Sequence, residues 1–157
     1  MSIDTDYMRA ALLQAQAAQA QGEVPVGAVL VHQGRIVARA ANRPIAACDP
    51  TAHAEVEVLR AGAKAMGSYR LADTVLYVTL EPCLMCAAAI VHARVQRVVF
   101  GAWDPRAGAA GSMLDAFALS GMNHRVDVFG GVLAEECGAL LKDFFAARRE
   151  SQPTSRS

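Results

Sequence analysis

Two short stretches restrict this chain more than anything else in it: Thr51-Ala-His-Ala-Glu55 and Glu81-Pro-Cys-Leu-Met-Cys86. Together they supply one imidazole, two thiols and two carboxylates, so the fold must carry two distant segments to one place. One nitrogen and two sulfurs suit zinc. Three protein ligands, His53, Cys83 and Cys86, leave the fourth corner of a tetrahedral ion open, as in catalytic rather than structural sites. Glu55, two residues past the histidine, is then the candidate acid–base group.

Both stretches read as helix starts. Cys83 and Cys86, three apart, share one face of a first turn, where unpaired backbone N–H groups favour the thiolate. Pro82 is expected at the first helical position, where its missing N–H costs nothing. His53 and Glu55 fall in the first turn of a helix expected over 51–66. At about 100° per residue they diverge by roughly 200°, so Glu55 is not a natural co-ligand, but it could reach a molecule bound beside the metal. A Cys-x-x-Cys pair alone also fits a redox element or a closed structural zinc. Cys48, Cys137, His92 and His124 are candidate fourth ligands for such a closed site.

The remaining pattern supplies the scaffold. An alanine-rich helix over 4–21 ends at Gly22, placed just past a helix end. Strands over 26–31 and 35–39 flank a hairpin turn in which Gly34 supplies a positive backbone angle. A loop over 42–50 precedes the helix over 51–66. A strand over 74–79, a helix over 82–92, a strand over 98–100, a glycine- and proline-containing loop over 102–111, a strand over 126–129 and a helix over 134–149 follow. Strands alternating with helices after an opening hairpin predict an α/β fold, a three-layer α/β/α sandwich around a five-stranded mixed sheet. Residues 1–150 are expected to form one domain and 151–157 a disordered polar tail.

Composition narrows the function. Of 157 residues, 54% are hydrophobic, and 15 acidic residues balance 15 basic ones. That argues against a non-specific polyanion binder but leaves room for a local basic face. Only Lys64 and Lys142 are lysines, and the arginine excess favours planar, bidentate contacts. No apolar run approaches the roughly 18 residues of a membrane span. No signal peptide is expected, because Asp4, Asp6 and Arg9 interrupt any apolar start. A reducing cytoplasm is the expected compartment, where a close cysteine pair more often binds metal or does redox work than forms a disulfide.

The chemistry follows from charge. Zinc lowers the pKa of a bound water from about 15.7 toward about 7, and a carboxylate alongside can take that water's proton and pass it on. Hydroxide attack on an amino-bearing ring carbon with loss of ammonia is hydrolytic deamination. The His-x-Glu and Pro-Cys-x-x-Cys pattern is the known signature of the zinc-dependent nucleobase deaminases, and the chain resembles that cytidine deaminase-like superfamily from about Tyr7 to Arg149. Glu23-Val-Pro-Val-Gly-Ala-Val, Asn42-Arg-Pro, Asp49-Pro-Thr-Ala-His-Ala-Glu, Leu80-Glu-Pro-Cys, Gly108-Ala-Ala-Gly-Ser and Met122-Asn-His-Arg resemble its tRNA-acting branch more particularly.

The resemblance implies conversion of adenosine to inosine at the first anticodon position of a transfer RNA, one for arginine, by a homodimer with one zinc per subunit. It implies that His53, Cys83 and Cys86 bind zinc, that Glu55 shuttles protons and that Asn42 hydrogen-bonds the flipped base. An amide's paired donor and acceptor suit an adenine edge. Phe145, Arg148 and Arg149 in the last helix combine aromatic faces with cations and suit an anticodon loop; one of Phe144 and Phe145 is expected in the core. Trp103-Asp-Pro-Arg106 is the second candidate contact. Asp104 repels phosphate, so an RNA role requires it to accept from a ribose hydroxyl, and it equally suits a turn. Trp103 stands where better-known members of the branch carry a basic residue. The rival readings are a deaminase of a free base or nucleoside (guanine or cytosine) and an inert zinc-stabilised RNA-binding subunit.

Overall fold

The structure, a computed structural model, describes residues 2–151. Helix α1 (Ile3–Ala20) starts at Ser2, whose hydroxyl accepts the Thr5 N–H, and buries Met8, Ala11, Leu12, Ala15 and Ala18 along one stripe. Gly22 takes φ +78° just beyond its end. Strands β1 (Gly27–His32) and β2 (Arg35–Ala41) form the expected hairpin. Gln33 and Gly34 both have positive φ, 52° and 75°, which matches the twist of the strands they join.

The segment expected as a bare loop holds one helical turn, α2 (Pro44–Ala47). Its N–H groups at Ile45 and Ala46 donate to the Glu23 carboxylate at 3.1 and 2.9 Å. The turn is stabilised by a residue outside it, so local pattern could not show it. Helices α3 (Ala54–Met66) and α4 (Leu84–His92) alternate with strands β3 (Thr74–Leu80) and β4 (Arg97–Ala102); strand β5 (Asp127–Gly130) and helix α5 (Ala134–Ser151) complete the fold. Ser151 closes α5 rather than opening a disordered tail; the rest of that expected tail lies outside the described residues.

The sheet order is β2-β1-β3-β4-β5. β1 is antiparallel to both neighbours, and β3, β4 and β5 are parallel. This is the expected five-stranded mixed sheet. Side-chain alternation along each strand divides the core in two. Ala28, Leu30, Leu76, Val78, Val98 and Phe100 pack with Val58, Leu59 and Ile90 of α3 and α4. Val29, Val31, Tyr77 and Val99 pack with Met8, Ala11 and Leu12 of α1 and Cys137 of α5. Helices therefore cover both faces, giving the three-layer sandwich. No helix among the described residues is long and apolar enough to cross a membrane.

Candidate metal centre and active site

The pairing registers determine where the site lies. Gly27 of β1 sits opposite Ala41 of β2, and Leu80 of β3 opposite Ala102 of β4. The start of β1 and the ends of β2, β3 and β4 therefore meet at one edge, the carboxyl end of the parallel strands where ligands of open α/β sheets collect. A cavity of about 550 Å³ opens there, with Asn42, His53, Glu55, Glu81, Cys83, Trp103, Asp104, Arg106 and Phe145 in its wall.

His53 and Cys83 hold equivalent positions: each is the extended N-cap residue of its helix, α3 and α4. Pro82 thus precedes the cap instead of opening the helix. His53 Nδ1 lies 3.6 Å from Cys83 Sγ and 3.4 Å from Cys86 Sγ. A tetrahedral zinc with bonds of about 2.1 Å to nitrogen and about 2.3 Å to sulfur separates such donors by about 3.6 Å. The three donors therefore fit zinc as they stand. Among the described residues no further His, Cys, Asp or Glu joins them. Cys48 is a free, exposed thiol and Cys137 a free, buried one. His124 Nε2 donates to the Val95 carbonyl, and His92 lies in the last turn of α4. Among the described residues nothing closes the fourth corner.

The donors already share charge. The hydrogen bond from Cys86 brings the Cys83 thiol down to about 4, against burial. The same bond, with burial, pushes Cys86 far up. His53 is raised, first by its hydrogen bond with Cys83. Metal binding releases the protons held this way. Glu55 is 4% exposed, and burial pushes its carboxyl up to about 7, with the Cys83 charge adding to the rise. A carboxyl in that range both takes and gives a proton near neutral pH, although a dication on the adjacent donors lowers it again. The expected divergence of His53 and Glu55 does not arise. With ψ 153°, His53 is not yet helical, so both side chains line the same cavity.

Asn42 is half committed. Its Oδ1 accepts the Ala54 N–H at 2.9 Å, capping α3 from outside. The amide N–H groups remain for a ligand, a narrower offer than a free amide's paired donor and acceptor. Asp104 forms a turn, Oδ1 accepting from the Arg106 and Ala107 N–H groups at 3.0 and 3.3 Å, and it also lines the cavity. Phe144 is buried while Phe145 is 41% exposed and reaches the cavity wall. Arg148 and Arg149 lie beyond the wall on the exposed end of α5, with the Arg148 guanidinium 5.4 Å above the Phe144 ring.

Residues 1–102 match the family model of the cytidine and deoxycytidylate deaminase zinc-binding region. The chain is 51% identical over 155 residues to a tRNA-specific adenosine deaminase of Haemophilus influenzae, covering 98% of this chain and 90% of that one. Over 156 residues it is 46% identical to the tRNA-specific adenosine deaminase of Bacillus subtilis, covering 99% and 97%. The chain belongs to the tRNA-specific adenosine deaminase branch of that family. A solved structure from work on A-to-I editing by tRNA:A34 deaminases at the wobble position is 46% identical, with TM-score 0.85 over 87% of this chain and 99% of that one.

This deaminase also uses a carboxylate for which motif and spacing suggest no role. Glu81, 2% exposed, accepts the N–H groups of Asp104, Ala110 and Ser112 at 2.9, 2.9 and 3.1 Å, together with the Ser112 hydroxyl. Burial alone would raise its pKa, but these bonds outweigh burial and lower it. Glu81 fastens the loop after β4 to the start of α4, two residues from Cys83. A Cβ at Gly108 would collide with this carboxyl, so the close approach requires glycine. The available signal was a charged residue ending the apolar run of β3.

Proposed function

We propose that the protein hydrolytically deaminates adenosine to inosine at the first anticodon position of a transfer RNA. The observation that carries the reading is an open three-donor metal cluster with buried Glu55 on the wall of the same cavity. Relatives acting on transfer RNA match over nearly the whole chain, which supports that substrate class. In this reading His53, Cys83 and Cys86 hold zinc. Zinc, when bound, supplies a water activated toward hydroxide near neutral pH.

Glu55 accepts a proton from the attacking water and passes it to the base ring nitrogen, and a proton then reaches the departing amine. Water is consumed and ammonia leaves. The Asn42 amide donates to a base acceptor while its oxygen stays on α3. A single-stranded anticodon loop lets the base splay out without melting a duplex. The reading includes a homodimer and a transfer RNA for arginine, both supported by the branch resemblance, with residues 1–150 as the deaminase unit and a reducing cytoplasm, supported by the element pattern and the cysteine usage.

The test incubates zinc-loaded protein separately with adenosine, guanine, cytosine and an anticodon stem-loop carrying adenosine at the first anticodon position. Inosine from the stem-loop alone is the expected result. Turnover of a free base would transfer the assignment to that substrate, and no turnover at one zinc per chain would leave an inert RNA-binding subunit. Phe145, Arg148 and Arg149 touch the loop in this reading. Arg148→Ala with Arg149→Ala then weakens stem-loop binding and reduces the slope of log K against log salt by about 1.4, at roughly 0.7 for each phosphate no longer neutralised. An unchanged slope would return both arginines to ordinary solvated surface.

A further inference from the structure

One large side chain at the cavity mouth has no part in the deamination described above. Trp103 is the only tryptophan in the chain. It lines the cavity yet is 51% exposed, although an indole has more to gain from burial than most side chains. The ring is nonetheless held. Buried Phe100 packs against it with the two rings perpendicular, centroids 4.7 Å apart and planes at 89°. Two glycines also approach it closely: a Cβ on Gly111 or Gly131 would lie 3.8 Å from the indole. The next residue is fixed as well, since the Asp104 N–H donates to Glu81 at 2.9 Å. The indole is therefore held by its neighbours while about half of the residue stays open to solvent.

We propose that Trp103 is the stacking platform for a nucleobase adjacent to the one in the cavity, a specificity-determining contact for the loop substrate. The proposal rests on the transfer RNA reading above. A fixed aromatic face at a cavity mouth suits an unpaired base, because every base has a π-face and stacking needs no particular edge. Arg106 and Phe145, both exposed, line the same cavity. The adjacent acidic residue, Asp104, has Oδ1 turned into its own loop. A cation at position 103 would bind phosphate and lose strength with salt. An uncharged indole instead contributes affinity that releases no counterions. Recognition in this chain therefore depends less on ionic strength than it would with a basic residue there.

The single tryptophan makes the test direct. Zinc-loaded protein is titrated with the anticodon stem-loop while indole emission is followed and inosine is measured in the same samples. The expected result is quenching that saturates with binding and disappears when the nucleotides flanking the target adenosine are abasic. Trp103→Ala should weaken stem-loop binding by about 5- to 160-fold with the salt slope unchanged, and Trp103→Phe should restore most of it. Inosine formation with unaltered emission, or quenching that persists with abasic flanks, would overturn the stacking role and leave the deaminase reading intact. Absence of both binding and inosine would overturn the two together.

Discussion

In the proposed reaction Glu55 is useful because it stands beside the candidate metal donors without being one of them. A carboxylate on the ion would close the fourth corner; one across the cavity would be too far to move a proton. Its place on the first turn of α3, immediately after an extended His53, achieves the intermediate position. Helical-wheel reasoning could identify Glu55 but not aim it, since the wheel assumes that both residues are already helical. Glu55→Gln preserves shape but exchanges one acceptor oxygen for an NH2 donor and removes the charge and the capacity to accept a proton. Turnover of the stem-loop should fall at least about 100-fold, the scale of positioned acid–base catalysis. Zinc stoichiometry and melting temperature should stay at wild-type values. Turnover within tenfold of wild type at full zinc loading would remove Glu55 from the proton path.

Whole elements are aimed by two further buried carboxylates, Glu23 and Glu81. Each stands outside the segment it organises. Glu23 captures the N–H groups of α2 and so shapes the turn after Asn42, and Glu81 gathers the loop from Asp104 to Ser112. Glu81→Ala leaves three N–H groups without their acceptor, at about 1–3 kcal/mol each where buried. A loss on the order of 3–5 kcal/mol in denaturant unfolding is expected. Glu81→Gln should fall between the two and mainly raise KM for the stem-loop, because the loop at the cavity mouth shifts while the zinc donors do not. A wild-type unfolding midpoint for Glu81→Ala would show the loop to be held otherwise. These carboxylates also explain what the sequence did and did not reveal. The long helices, the hairpin with Gly34 and the three metal donors were legible from periodicity, turn chemistry and spacing. The α2 turn and the looped segment were not, because the groups that satisfy their backbone lie 22 to 31 residues away.

Across the whole molecule, the mixed sheet gathers segments separated in sequence onto one edge, and that convergence was legible only as a fold class. The strand registers that bring Asn42, Cys83 and Asp104 together are tertiary facts. A separate tie fastens α1 to the inner strands of the sheet: Asp4 of α1 takes a bidentate pair of bonds from Arg97 of β4 at 3.1 and 2.9 Å and the Tyr77 hydroxyl of β3 at 2.7 Å. Burial alone would raise the Asp4 pKa, but the Arg97 and Tyr77 hydrogen bonds and the guanidinium charge outweigh it and leave it lowered. Glu81 is lowered likewise. A carboxylate whose folded pKa lies below its unfolded one contributes stability that is complete above the unfolded value and disappears as pH falls through the folded one. The ordinary values are 3.8 for Asp4 and 4.5 for Glu81, so both contributions are complete at neutral pH and decline only below that range. Asp4→Asn should therefore melt below wild type at pH 7, and the difference should narrow steadily once pH drops under about 4. Thermal melts of both proteins across pH 3 to 7 check this, and a difference that stays constant over the whole range would mean that the Asp4 charge does not hold α1 to the sheet.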